Sequence, residues 1–229
     1  MRTIGLIGGM SWESSAEYYR IINQRVRSRL GPLRSASLLM YSVDFGPVEQ
    51  AQHAGRWDEA GLILENAAQR LQAGGAECVV LCTNTMHRVA EQIQAAVDIP
   101  LLHIAEPVGQ AALDAGARTV GLLGTAFTME QHFFKQRLAA LGLEVLVPEP
   151  DERQAVHRII YEELCVGIIS EHSRQAYRRL IDGLAARGAQ AVILGCTEIS
   201  LLIKPEHSDL PLFDTTELHA MAAVEFALG

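Results

Sequence analysis

Three short segments recur, in the same order, in the two halves of the chain. Residues 2–9 (RTIGLIGG) match 118–125 (RTVGLLGT), 75–85 (GAECVVLCTNT) match 188–198 (GAQAVILGCTE), and 98–104 (DIPLLHI) match 209–215 (DLPLFDT). The offsets are 116, 113 and 111 positions, a drift of the size that differences in loop length produce. Any one pair of Val/Leu/Ile runs can match by chance, because buried parallel strands look alike. Three ordered pairs with shared Arg-Thr, Gly-Ala and Asp-x-Pro starts point to a duplication. Whatever one half folds into, the other must fold into as well.

Between the apolar runs lie amphipathic stretches such as AEYYRIINQRVRSRLG and DEAGLILENAAQRLQAGG. Strand-like runs alternating with helix-like ones predict an α/β fold with parallel sheets and flanking helices. With 229 residues and 49% hydrophobic composition, the material for two cores is ample. The expected organisation is two similar α/β halves, 1–105 and 106–213, with a last helix over 214–229 packing back on the first half. Ligands of open parallel sheets bind beyond the carboxyl ends of the strands. Two duplicated sheets facing each other across a cleft would place equivalent residues on opposite sides of one small ligand.

The repeat pairs Thr83 with Cys196 and Cys82 with Gly195. Cys196, in LGCTE, precedes the helix-like ISLLI. A helix start lowers a nearby thiol pKa, so this is a candidate thiolate; a small buried residue at a glycine turn is the alternative. In GGMSWES, two glycines allow a backbone to approach a ligand closely, and Ser11 can bind an anion or cap a helix. The repeat partner of this turn, GLLGTAFT, offers Thr125. His87 can orient a ligand or cap a helix, and the sequence leaves both open. Cys78, within a strand, and Cys165, on the helix of AVHRIIYEELCVG, read as packing residues.

Several function classes lose support. A net charge of −8 disfavours a nucleic-acid partner. Lys135 and Lys204 are the only lysines, and neither sits at a strand end where a pyridoxal-phosphate Schiff base would form. No G-x-G-x-x-G, H-E-x-x-H or Cys/His zinc spacing is present, so neither a dinucleotide nor a metal is expected. No apolar run is long enough for a membrane span. The start reads as a strand rather than a signal peptide, and four cysteines then predict free thiols in a reducing cytoplasm.

With GLIGGMSWES, LCTNTMH, GLLGT, YEEL, ILGCTE and LPLFDTTELHA in this order, the chain resembles the cofactor-independent aspartate/glutamate racemases over essentially its whole length. The resemblance implies two pseudosymmetric α/β halves around an amino acid, with a group from each half acting on opposite faces of its Cα. One face needs a base and the other an acid, both close to the same carbon. The carbanion needs hydroxyl and N–H donors around its carboxylate. Carried over residue by residue, this gives Thr83 and Cys196 as the catalytic pair. Met10, Ser11, Gln52, Asn84, Thr85, Thr125, Thr197 and Glu198 become substrate-binding candidates. No cofactor is expected; the partners are a small amino acid and a second copy of the chain in a homodimer.

The departures from the family pattern carry information. Its first motif generally reads Cys-Asn-Thr, whereas here Thr83 precedes Asn84 and Thr85. Cys82 stands one place earlier, and adjacent strand residues point to opposite faces, which assigns it to the core. A hydroxyl is a far weaker acid than a thiol of pKa about 8.5 and a poor resting base. The site is therefore expected to be asymmetric, with Cys196 as base and Thr83 as donor or relay; since the second-half cysteine of the family handles the L-enantiomer, the resemblance implies a bias toward L-substrates. Cys165 stands where many aspartate racemases carry a lysine for the side-chain carboxylate. Arg56 or Arg88 can compensate through a bidentate carboxylate contact, and aspartate versus glutamate stays open. Glu198 can adjust the protonation of Cys196 or simply favour a helix start. Two rivals remain at this level: an arylmalonate-type decarboxylase, which needs one thiol, and a protein that binds an amino acid without turning it over.

Overall fold

The computed structural model describes residues 1–229, which form two units, Met1–Ile104 with His219–Gly229, and Ala105–Leu218. The first unit contains β1 (Ile4–Gly8), α1 (Trp12–Leu30), β2 (Leu38–Ser42), α2 (Phe45–His53), α3 (Trp57–Ala73) and β3 (Cys78–Leu81). A 3-10 turn (Thr85–Val89), α4 (Ala90–Ala95) and β4 (Leu101–Leu102) follow. The second unit holds α5 (Ala105–Asp114), β5 (Thr119–Gly124), α6 (Ala126–Glu130), α7 (His132–Ala140), β6 (Glu144–Leu146) and α8 (Pro150–Glu162). It continues through α9 (Glu171–Ala186), β7 (Ala191–Gly195), α10 (Ile199–Leu202) and β8 (Leu212–Asp214). The last helix, α11 (Thr215–Leu228), begins in the second unit, and its residues from His219 belong to the first.

The two sheets have the same plan. Each has four parallel strands, in the orders β2-β1-β3-β4 and β6-β5-β7-β8. The strands made by the repeated segments correspond in place, which bears out the duplicated α/β reading. In each sheet the chain reverses its direction of winding beside the first strand, so the switch point lies between β1 and β3, and between β5 and β7. That is where open parallel sheets leave a crevice beyond the strand ends.

The central strands of the first unit, β1 and β3, are buried on both faces, and their side chains divide with a period of two. Ile7, Val79 and Leu81 pack with Leu64, Leu71 and Met86. Ile4, Leu6, Val80 and Cys82 pack instead with Tyr18 and Ile22 of α1 and with Ala220 and Val224 of α11. In the second unit Val192, Leu194 and Cys196 line up on the face covered by α8 and α9. No helix is long and apolar enough to cross a membrane.

A polar tie fixes α11 to the first sheet. The carbonyl of Leu102 can only accept, so His219 donates to it from Nε2 at 2.7 Å, and Nδ1 then accepts from the Tyr18 hydroxyl at 2.8 Å. Burial lowers the His219 pKa from 6.5 to about 4, the Leu102 bond opposing the shift. The unfolded chain therefore takes up this proton first as pH falls. The stabilisation is whole above the unfolded pKa, and roughly 3 kcal/mol is lost between about pH 6.5 and 4. Denaturant titrations should show wild type losing about 3 kcal/mol more than His219→Leu over that interval. Equal losses would remove His219 from the account.

Candidate functional site

In the first unit the candidate residues gather beyond β1 and β3. After β1, Gly9 has φ +99, a conformation that glycine adopts freely. A Cβ there would lie 2.1 Å from the Val43 carbonyl oxygen, and one on Gly8 2.6 Å from Ser15 Oγ. Of the two readings of this stretch, the structure supports the strand-to-helix turn. On the side where a Cβ would stand, Val43 and Ser15 fill the space, which makes the turn tight. Gly9 donates its N–H to Ser15 Oγ at 2.8 Å, and Ser15 donates to the Ser11 carbonyl at 2.9 Å. Ser11 caps α1, accepting from the Ser14 amide at 3.3 Å, and Ser14 donates its hydroxyl to the Cys82 carbonyl at 3.0 Å. Met10 is buried beside this turn.

Beyond β3 the chain turns sharply, with the Thr83 amide donating to the Leu81 carbonyl at 2.8 Å. Thr83, Asn84 and Thr85 are all buried. His87, also buried, donates from Nδ1 to the Thr83 carbonyl at 2.7 Å and accepts at Nε2 from the Ile104 amide at 3.2 Å. His87 thus ties the backbone of Thr83 to the chain just after β4. Gln52, on α2, donates to Met86 Sδ at 2.8 Å, while its buried Oε1 makes no hydrogen bond. Cys82 lies fully buried in the α1/α11 core, where burial pushes its thiol far up. Arg56 pairs with Glu59 at 2.8 Å, and Arg88 lies over the Trp57 ring, 4.3 Å from its centre; both are engaged on their own surface.

In the second unit Thr125 is the cap of α6, accepting from the Thr128 amide at 3.3 Å. The two turns after β1 and β5 therefore repeat the same hydroxyl cap in Ser11 and Thr125. After β7 come Cys196 and Glu198, both buried, with Thr197 partly buried between them. The Cys196 thiol donates to Glu198 Oε2 at 3.0 Å, and the Thr197 hydroxyl donates to the same oxygen at 2.5 Å.

The expected lowering of the Cys196 pKa by a helix start does not hold. Helix α10 has only 4 residues and begins at Ile199. Burial, then the Glu198 carboxylate, raise the thiol well above its ordinary range. A carboxylate beside a thiol in a poorly hydrated site opposes a second negative charge. Cys165 is not on α8, which ends at Glu162, but in a 3-10 turn (Leu164–Val166) packed against the core that includes Cys196.

Sequence patterns alone do not single out Tyr177, a fully buried tyrosine on α9, or the His87–His103–His219 cluster, whose rings stand 4.6 and 5.6 Å from His87. For Tyr177 a signal existed, in the register of the repeated helices. The histidines lie too far apart along the chain to be linked by spacing.

The profile of the family described as Asp/Glu/Hydantoin racemase matches residues 7–223. The broad specificity amino-acid racemase RacX of Bacillus subtilis (strain 168) is 24% identical over 231 residues, covering 99% of this chain and 98% of that one. A crystal structure of a candidate Asp/Glu racemase from Yersinia pestis superposes with a TM-score of 0.94 at 53% identity, covering 100% of both chains. An aspartate racemase homologue from Pyrococcus horikoshii OT3 gives 0.87 at 34% identity, again over 100% of both.

Proposed function

We propose that this chain, which belongs to the Asp/Glu/hydantoin racemase family, inverts the Cα of aspartate or glutamate without a cofactor, through Cys196 and Thr83. The observation that carries this reading is the thiol of Cys196 held 3.0 Å from the Glu198 carboxylate at the switch point of its sheet. A carboxylate that accepts a thiol's hydrogen bond can accept its proton. The Cys196 thiolate then takes the α-proton, the electron pair spreads onto the substrate carboxylate, and a proton returns to the other face with Thr83 as donor or relay. Nothing is oxidised or reduced: Cys196 keeps the α-proton as its thiol, and the proton taken up by Glu198 passes through solvent to replace the one that left from Thr83.

Burial disfavours charge on Cys196 in the resting protein, so the substrate's own ammonium supplies part of the compensation. Hydroxyl and amide groups of Asn84, Thr85, Thr125 and Thr197 are assigned to the carboxylate and ammonium, and the unbonded Oε1 of Gln52 suits an ammonium N–H. The turn after β1, with Met10 and Ser11, completes the binding set. The thiol belongs to the second half and the first half offers only a hydroxyl; in the family that this chain belongs to the second-half cysteine handles the L-enantiomer, so the reading favours L-substrates.

Proton NMR in D2O tests it. Loss of the Cα–H signal should be faster for L- than for D-aspartate or glutamate. The Bacillus relative's name, a broad specificity racemase, makes other L-amino acids part of the same assay. Thermal stabilisation by these amino acids without any exchange would sink the reading in favour of a binding protein. CO2 release from an aryl malonate, again without exchange, would sink it in favour of a decarboxylase.

A further inference from the structure

The proposed reaction begins from a thiolate at Cys196, yet the resting site holds that proton in place. The second unit contains a group suited to the charged form, and the duplication makes it visible. Helix α3 ends at Ala73 and α9 at Ala186, and from there the halves run without a gap to Thr83 and Cys196. The buried faces correspond: Leu64 and Leu71 on α3 answer to Tyr177 and Leu184 on α9, and Ala60 answers to Ser173. The half that ends in threonine has leucine on the helix behind it. The half that ends in a thiol has tyrosine.

The fold brings this tyrosine level with the thiol. Helix α9 packs on its own sheet, Leu184 Cδ1 lying 2.9 Å from where a Cβ on Gly121 would stand. A short turn joins α9 to β7, so the helix runs back along the strand. Tyr177 stands about 14 Å before the end of α9, and Cys196 about 17 Å beyond the start of β7. Cys196 also continues the Val192–Leu194 line on the face that α9 covers.

The Tyr177 hydroxyl is fully buried and makes no hydrogen bond, a costly state that phenylalanine would avoid with the same ring. Besides burial, the charges that bear on it are Cys196 first, then Glu163 and Cys165. Glu163 already accepts the hydroxyls of Ser170 at 3.2 Å and Ser173 at 2.6 Å.

We propose that the Tyr177 hydroxyl is the hydrogen-bond donor for the thiolate form of Cys196, a positioning residue whose role rests on reading Cys196 as the base. It keeps its own proton throughout: burial and its acidic neighbours hold the phenol well above its ordinary range. The other titratable groups bearing on the pair are Glu198 after β7, Glu163 at the end of α8 and Cys165 in the turn beyond it.

Site-resolved alkylation by iodoacetamide, followed by mass spectrometry across roughly pH 6 to 10, tests this without recourse to turnover. Tyr177→Phe should slow alkylation of Cys196 about tenfold near neutral pH and move its midpoint up by about one unit. Cys165 should be unaffected, and the melting temperature should be unchanged or raised. An unmoved Cys196 profile overturns the proposal. So does a lowered melting temperature, since the hydroxyl would then have a partner in the resting protein. If Tyr177→Phe shifts Cys196 while wild type exchanges no Cα proton, the racemase reading fails and this one stands.

Discussion

Cys196→Ser should slow Cα–H exchange of L-aspartate or L-glutamate in D2O by about three orders of magnitude. A serine hydroxyl fits the same space and still reaches Glu198, but it holds its proton far more strongly than a thiol, so the base is removed while the fold is kept. Thr83→Ala should cost about a hundredfold, by removing the donor on the other face. Cys82→Ala should leave the rate within about twofold while lowering stability by roughly 1 to 2 kcal/mol, because Cys82 fills the core beneath α1 and α11. Retained exchange in Cys196→Ser would end the proposed mechanism, as would a Cys82→Ala protein that is dead beside an active Thr83→Ala.

The second large effect is on stability. Gly9→Ala should destabilise the protein by about 3 to 5 kcal/mol. Its φ of +99 is strained for alanine, and the added Cβ meets the Val43 carbonyl oxygen at 2.1 Å and the Val43 nitrogen at 2.8 Å. These are backbone atoms, and Val43 donates its N–H to the Gly8 carbonyl at 3.0 Å, so any retreat breaks the tie between β1 and the chain after β2. Gly31 separates the two contributions. It has φ +114 with nothing within 4 Å of where an added methyl would stand, and Gly31→Ala should cost only about 1 kcal/mol. Chemical denaturation of the pair measures the difference; midpoints that coincide would remove the clash from the explanation.

The duplicated parallel sheets were legible because a repeat compares a sequence with itself, and the buried strands leave a plain Val/Leu/Ile trace. The period of two likewise assigned Cys82 to the core, and the structure puts it there. The protonation of Cys196 could not be read in the same way. It depends on which way the Glu198 side chain turns and on how much water α8 and α9 exclude, and both are tertiary facts. Gly8 and Gly9 suggested room for a ligand because a glycine in sequence marks close approach without saying what approaches; here Ser15 and Val43 do. The bond between Tyr18 and His219 joins residues 201 positions apart, far beyond any local pattern.

That last connection bears on how the molecule is made. The core under β1 and β3 is closed by Ala220, Ala223 and Val224, and the Arg2 amide donates to the Ala227 carbonyl at 2.8 Å. A ribosome delivers every residue of the Ala105–Leu218 unit before the His219–Gly229 segment that completes the other. Vectorial synthesis thus leaves Tyr18, Ile22 and the inner face of the first sheet waiting while the later unit is already whole. The half that is translated first is the half that can finish last, and a nascent chain stalled before His219 exposes apolar surface to chaperones from its older half rather than its newer one.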